Sequence, residues 1–258
     1  MHPLVNIALR AGRDAAGLLA QQSERLDRIR IVETEAGRKI TSVEADADKS
    51  MLYHIRSAYP GHNINSRISG EHTGGQGEPI WHLDPAIGFA NFLHGFPAFG
   101  VAIAIELNKQ VCHATIVFPI LQEEFTCSRG NGAQLNARRL RVQSGDELKN
   151  TLIGVNPDEL DAALLAGLIS ELRNKEGQFR ALGDTTLDIL QVAAGRYNGG
   201  WGRASSEPAL RAALLVLREA GGIAGTHSGR PSPGADDELL FANPKLLKQL
   251  LKLRNKFN

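Results

Sequence analysis

Asp84 lies in Ile80-Trp81-His82-Leu83-Asp84-Pro85, two residues after His82. On a strand that spacing turns an imidazole and a carboxylate to one face, as a pair of metal ligands would require. Any two residues so spaced share a face, so plain strand geometry is the preferred reading of the pair over metal binding. The remaining groups with chemical capacity are scattered. Cys112 and Cys127 fall on neighbouring predicted strands, and two thiols make no disulfide framework. Buried free thiols are expected there, rather than a disulfide or a reactive pair. Arg138, Arg139 and Arg141 form a short basic cluster. Lys245, Lys248, Lys252, Arg254 and Lys256 form a longer one, read as a solvated face with a partner or RNA contact as the alternative.

The elements that must position these groups follow from periodicity. Leu4, Ile7, Ala8, Ala15, Leu18 and Leu19 carry the spacing of an amphipathic helix over residues 3–24. Ile31–Glu33 and Lys39–Val43 predict a short hairpin, and Asp46–Ala58 a helix ended by Tyr59-Pro60-Gly61. His62–Ile68 predicts a strand, and the Gly-rich, polar stretch Ser69–Pro79 a mobile loop. The strand Ile80–Leu83 is expected to stop at Pro85, which has no N–H to give a ladder. Phe99–Leu107 and Val111–Phe118 flank Asn108-Lys109 as a hairpin, followed by a strand Glu124–Ser128 closed by Gly130-Asn131-Gly132. Later come strands at Thr151–Val155 and Gln178–Leu182, with helices at Asp158–Leu172, Thr186–Ala194, Glu207–Ala220 and Pro244–Asn258. The expected organisation is one unit over 1–258, with an antiparallel-sheet half over 1–145 and an α/β half over 146–258.

Composition narrows the functions available. With 29 basic and 28 acidic residues the formal net charge is +1, which gives no global drive toward nucleic acid or anionic membrane. Direct nucleic-acid binding is therefore expected to be weak or absent. Arg10, Arg13 and Asp14 interrupt the N-terminal apolar stretch, so it does not read as a secretory signal, and no run approaches the roughly 18 apolar residues of a membrane span. A cytoplasmic protein is expected.

The segment from Ile80 to Phe92 resembles the signature WxxDPxDGTxNF of the inositol monophosphatase family. Other matches run in order: Ile55–His62, the hairpin Phe125–Asn136, the late helices around Leu187–Arg196 and Leu217–Gly222, and Ala242-Asn243-Pro244. The resemblance covers almost the whole chain and is closest to the bacterial SuhB-type branch. It implies an α+β, α/β layered fold, the αβαβα sandwich of the inositol monophosphatase and sugar phosphatase type. It also implies Mg2+-dependent hydrolysis of phosphate monoesters, with ligands from a Glu, two Asp of the central motif and one late Asp. Hard cations of this kind require oxygen donors, and they activate water and clamp the phosphoryl oxygens.

Carried over residue by residue, that ligand set is nearly gone. The Glu falls on Arg67, the first Asp survives as Asp84, the second is Ile87, and the late Asp is Ala209, after Pro208. Phe89 replaces the Thr that orients water, and Phe118 an aspartate flanking the site. Arg67, Asp84, Ile87, Phe89 and Ala209 thus make a vestigial site in which Asp84 is the remaining acidic ligand, with the Ile87 carbonyl a further possible donor. The pocket is expected to fall from about four negative charges to about zero, and Asp84 is expected to pair with Arg67. Glu71, Glu78 and Glu207 are near enough in sequence to be considered as shifted ligands, but read as solvated. Arg67, Gly88 and Phe89 are candidates for metal-free anion binding, because relatives cradle phosphate at that turn.

The sequence therefore predicts a catalytically inactive member with no cofactor, acting through protein or RNA contacts. The resemblance points to Nus-type transcription factors or RNA polymerase as partners in antitermination, and to a homodimer. Mg2+-dependent hydrolysis of inositol monophosphate or a similar ester is the alternative, and anion binding the third reading.

Overall fold

The computed structural model describes residues 2–33, 37, 39–157, 160–228, 230 and 233–257. The chain divides into two compact units, Met1–Arg138 and Arg139–Asn258. Each sets helices against a sheet, an α+β layered architecture.

In the first unit α1 (Pro3–Ser23) opens where the His2 ring accepts the Leu4 N–H and Pro3 has no N–H to leave orphaned. A short hairpin of β1 (Ile31–Glu33) and β2 (Lys39–Thr41) leads into α2 (Ser42–Ala58). This helix starts four residues before the expected Asp46, and the strand ends at Thr41 rather than Val43. The cause is a capping box: the Glu44 N–H donates to Thr41 Oγ1 (3.3 Å) while Glu44 Oε2 accepts from the Thr41 N–H (2.9 Å).

Next come β3 (Asn63–Ser66) and β4 (Gly70–His72), an antiparallel pair. The stretch expected to be loop from Ser69 to Pro79 therefore contains a strand. In β5 (Ile80–Ile87) the strand runs through Pro85 instead of stopping there. Its register against the next strand shifts between Asp84, opposite Ala102, and Ile87, opposite Gly100. Proline is tolerated because the bulge already interrupts the ladder. Gly88 then turns with φ 63° into the single-turn α3 (Phe89–Leu93), and a Cβ there would lie 2.4 Å from the Ala98 carbonyl oxygen.

The sheet continues with β6 (Gly100–Leu107), β7 (Gln110–Phe118), β8 (Glu123–Ser128), β9 (Gly132–Leu135) and β10 (Arg138–Arg139). Asn108 and Lys109 turn the β6–β7 hairpin with φ of 51° and 62°, the left-handed pair that matches strand twist. The eight strands run β10-β9-β8-β7-β6-β5-β3-β4. From β9 to β5 each neighbour is antiparallel, as is β4 beside β3, whereas β3 lies parallel to β5. Leu4, Ala8, Ala15 and Leu19 of α1 and Ala47, Met51 and Ile55 of α2 share one core with Trp81, Leu83, Val101, Ile103 and Ile105 of the sheet. Cys112 and Cys127 lie on the paired β7 and β8 as free thiols.

The second unit is built on β11 (Leu152–Val155), β12 (Gln178–Arg180), β13 (Gly199–Gly202), β14 (Ile223–Thr226) and β15 (Leu239–Ala242), in the order β12-β11-β13-β15-β14. Its helices are α4 (Ala162–Asn174), α5 (Thr185–Ala193), α6 (Glu207–Glu219) and α7 (Pro244–Arg254). The predicted helix start at Asp158 and the chain end at Asn258 lie outside the described residues. Three strands, β13, β14 and β15, carry no expectation from the sequence. Gly199-Gly200-Trp201-Gly202 offers few strand-forming side chains, yet Gly200 lies against the Phe241 ring, where a Cβ would come within 2.1 Å of a ring carbon. Among the described residues no helix is long and apolar enough to cross a membrane.

Candidate functional site

Arg67 follows β3 directly, and its N–H bonds the Leu83 carbonyl of neighbouring β5 (2.9 Å). The turn that carries it is fixed by Ser66, whose hydroxyl bonds the Asp48 carboxylate and accepts the Ile68 N–H (3.0 Å). From there the guanidinium reaches into the fold. Its Nε donates to Asp84 Oδ1 (2.8 Å), and its Nη2 donates to Glu44 Oε1 (3.2 Å) and to the Ala86 carbonyl (3.2 Å). Asp84 is 1% exposed and Glu44 4% exposed, so both carboxylates are desolvated. Asp84 Oδ1 also accepts the Ala86 N–H (3.0 Å), which pins the carboxylate to the bulge. Burial works against the Arg67 charge, but Asp84 and then Glu44 outweigh it and hold its pKa above the ordinary arginine value. The guanidinium is thus met by oxygens from α2 and from two places in β5, Asp84 and the Ala86 carbonyl at its bulge.

Glu44 is the residue that sequence reading missed. It lies 23 positions before Arg67, but its signal was present, because Thr41-x-x-Glu44 is a capping-box pattern. One oxygen caps the helix and the other meets Arg67. The local charge is therefore two carboxylates against one guanidinium, one negative charge rather than about zero.

The other positions named from the sequence are apolar and packed. Ile87 and Phe118 are each 1% exposed. Phe89 stacks on Phe92 (5.6 Å between centroids) and packs against the core, and Gly88 is buried beneath Ala98. The carbonyl that meets Arg67 belongs to Ala86 rather than Ile87. Ala209 is fully buried in α6 of the second unit, its N–H on Ser206 Oγ (3.4 Å). His82 reaches Glu106 (3.1 Å), while Asp84 bonds Arg67 and the Ala86 N–H.

The glutamates considered as shifted ligands are placed elsewhere. Glu71 is exposed on β4, opposite Asn65. Glu78 is exposed and 3.6 Å from His62. Glu207 accepts from Arg211 (3.0 Å) and from the Ala235 N–H (3.0 Å). Among the described residues, no group of three or more His, Cys, Asp or Glu side chains is gathered closely enough to hold a metal ion.

A separate cavity of about 490 Å3 in the first unit is lined by His2, His113, Cys127, Ser128 and Asn131 among others, with no carboxylate, lysine or arginine. His113 bonds Ser128 Oγ (2.8 Å) and stacks on His2 (4.2 Å). Its pKa is pushed down to about 4, first by burial and then by His2.

The second unit contains a polar cluster that the sequence did not signal. Both carboxyl oxygens of Asp188 are buried without a hydrogen-bond partner, as are the hydroxyls of Thr185 and Thr186 and Asn156 Oδ1. Burial and then the negative Asp184 raise the Asp188 pKa well above the carboxylate range. Because the folded pKa is raised, this group's contribution is complete below the unfolded value of about 3.9 and is lost as pH rises toward the folded value. Asp188→Asn removes that loss. Chemical denaturation is expected to find the variant gaining on the wild type from pH 5 to pH 8, whereas parallel pH profiles contradict a neutral, buried carboxyl.

The sequence profile of the inositol monophosphatase family matches residues 1–257. The chain is 37% identical over 258 residues to a protein of Pseudomonas aeruginosa named Nus factor SuhB, covering 97% of this chain and 95% of that one. It is 32% identical over 254 residues to Nus factor SuhB of Escherichia coli K12, with the same coverage of 97% and 95%. Among solved structures, the extragenic suppressor protein suhB of Bartonella henselae superposes with a TM-score of 0.90 at 25% identity, over 99% of both chains. An IMPase of Thermotoga maritima superposes with a TM-score of 0.84 at 24% identity, over 99% of this chain and 98% of that one, a likeness of fold.

Proposed function

On the premise that the chain belongs to the inositol monophosphatase family, we propose that it is a catalytically inactive member that works by binding protein partners, as a Nus-type factor acting with the transcription machinery. The observation that carries this reading is the Arg67 guanidinium bonded to Asp84, Glu44 and the Ala86 carbonyl. A divalent ion beside Asp84 would meet that guanidinium at close range. At an effective dielectric of about 20, a dication about 4 Å from a unit positive charge is repelled by about 8 kcal/mol. The two carboxylates that would offset that repulsion are already bonded to the guanidinium, so an entering ion would have to displace Arg67 from them. The residues present do not fit the Mg2+ that the family resemblance implies.

Anion binding at Arg67 and Gly88 is opposed by the same geometry. Two buried carboxylates already over-neutralise the guanidinium. Gly88 and Phe89 are closed in by Ala98 and Phe92.

The transcription role draws on the names of the relatives, two of which are called Nus factor SuhB. Surface rather than pocket would carry it, in a homodimer, with the exposed Arg138, Arg139 and Arg141 as candidate contacts. Immobilised NusA or RNA polymerase is expected to retain the protein at low salt. Retention should weaken when those three arginines are replaced by alanine. Absence of retention on both baits contradicts the role.

A further inference from the structure

We infer that His2 and His113 form an acid-released latch, which holds the first turn of α1 on the sheet only while both imidazoles are uncharged. His2 caps α1 through its ring, whose Nδ1 accepts the Leu4 N–H (3.2 Å), while its carbonyl accepts the Val5 and Asn6 N–H groups. A ring nitrogen accepts only without a proton, so this cap requires a neutral His2 that carries its hydrogen on Nε2. The same ring lies over His113 of β7, with 4.2 Å between centroids and 23° between planes. His113 is 6% exposed, sits opposite Ile105 of β6 and Ser128 of β8, and bonds Ser128 Oγ through Nδ1 (2.8 Å). Among the described residues no carboxylate lines the cavity beside the pair, where Cys127 is the further titratable group, and the first turn of α1 holds no acid. Glu106 of β6 meets His82, and Arg129, exposed on the turn after Ser128, adds only positive charge. A proton on His2 breaks the cap, and one on His113 places a buried charge beside a second imidazole. Burial first, and then His2, hold the His113 pKa down at about 4. The ordinary value is about 6.5, so the docked turn binds fewer protons than the released one. Release gains on docking as pH falls from about 6.5, and the gain is complete below about 4. The released turn uncovers the cavity of about 490 Å3 that His2 and Val5 help to wall.

Backbone hydrogen exchange of the full chain, corrected for the intrinsic pH dependence of each amide, reads the latch between about pH 7.5 and pH 4.5. Protection of Val5 to Leu9 is expected to fall at least about tenfold, since one proton taken up on release is worth up to about tenfold per pH unit. Ile103, fully buried in β6, is expected to keep its protection over the same range. His2→Ser keeps an oxygen cap with no ring to charge, so its α1 protection should change less than about threefold. His2 is exposed, so this substitution leaves the core intact. Ring 15N shifts at neutral pH should also show His2 with its hydrogen on Nε2. A wild-type loss under about threefold, an equal loss in His2→Ser, loss of Ile103 protection together with α1, or a His2 hydrogen on Nδ1 overturns the inference.

Discussion

Supplied with inositol 1-phosphate and millimolar Mg2+, the protein is expected to release phosphate no faster than buffer does. Phosphomonoester hydrolysis is among the slowest uncatalysed reactions, and a metal-dependent enzyme obtains its acceleration from ions that activate water and neutralise developing charge. Those ions need oxygen donors, but the structure gives Asp84 a guanidinium neighbour, buries Ile87 and Phe118, and packs the partly buried Phe89 against the core. An entering ion would have to displace the Arg67 guanidinium from both carboxylates, which millimolar Mg2+ is not expected to do. Phosphate release should be equally absent in the wild type and in Asp84→Ala. Mg2+-dependent turnover that Asp84→Ala abolished would restore the phosphatase reading.

Glu238→Ala is expected to destabilise the protein by about 3–5 kcal/mol, the usual result of stripping one partner from a buried ion pair. Arg254 of α7 bonds Glu238 through Nε and through Nη2 (3.1 Å), with side-chain exposures of 12% and 7%. Glu238 Oε1 also accepts the indole N–H of Trp201 (2.8 Å), and the guanidinium lies 5.9 Å over the Trp201 ring. Deleting the carboxylate takes from a largely buried guanidinium and a buried indole N–H the acceptor that they share. Lys256→Ala is the control, because Lys256 meets Glu171 (2.8 Å) at 54% side-chain exposure, and such pairs are worth about 0–1 kcal/mol. Denaturant titration of both variants checks the contrast. Equal effects would mean that Arg254 belongs to a solvated basic face, as the sequence suggested.

That correction shows why part of the molecule was legible and part was not. The run Lys245, Lys248, Lys252, Arg254 and Lys256 is uniform as charge, but Arg254 alone turns inward, because its partner Glu238, just before β15, and the Trp201 ring of β13 are brought in by strands that the sequence did not reveal. Those strands are short and, in β13, three-quarters glycine, so neither alternation nor propensity marked them. The hairpin at Asn108-Lys109 was readable because a local turn dictates it. Pro85 misled because the bulge that accommodates it depends on pairing with β6. In the site, the motif around Asp84 was readable along the chain, and so was the charge reversal at Arg67. Glu44 was not recognised there, because its second role depends on the first turn of α2 coming within reach of Arg67, 23 residues later.

A crystal soaked in MnCl2 and inositol 1-phosphate, with anomalous scattering recorded at the manganese edge, addresses the site most directly. The expected map has no manganese peak within bonding distance of Asp84, with the Arg67 guanidinium still seated on Asp84 and Glu44. Manganese bound to Asp84 with Arg67 displaced would contradict it.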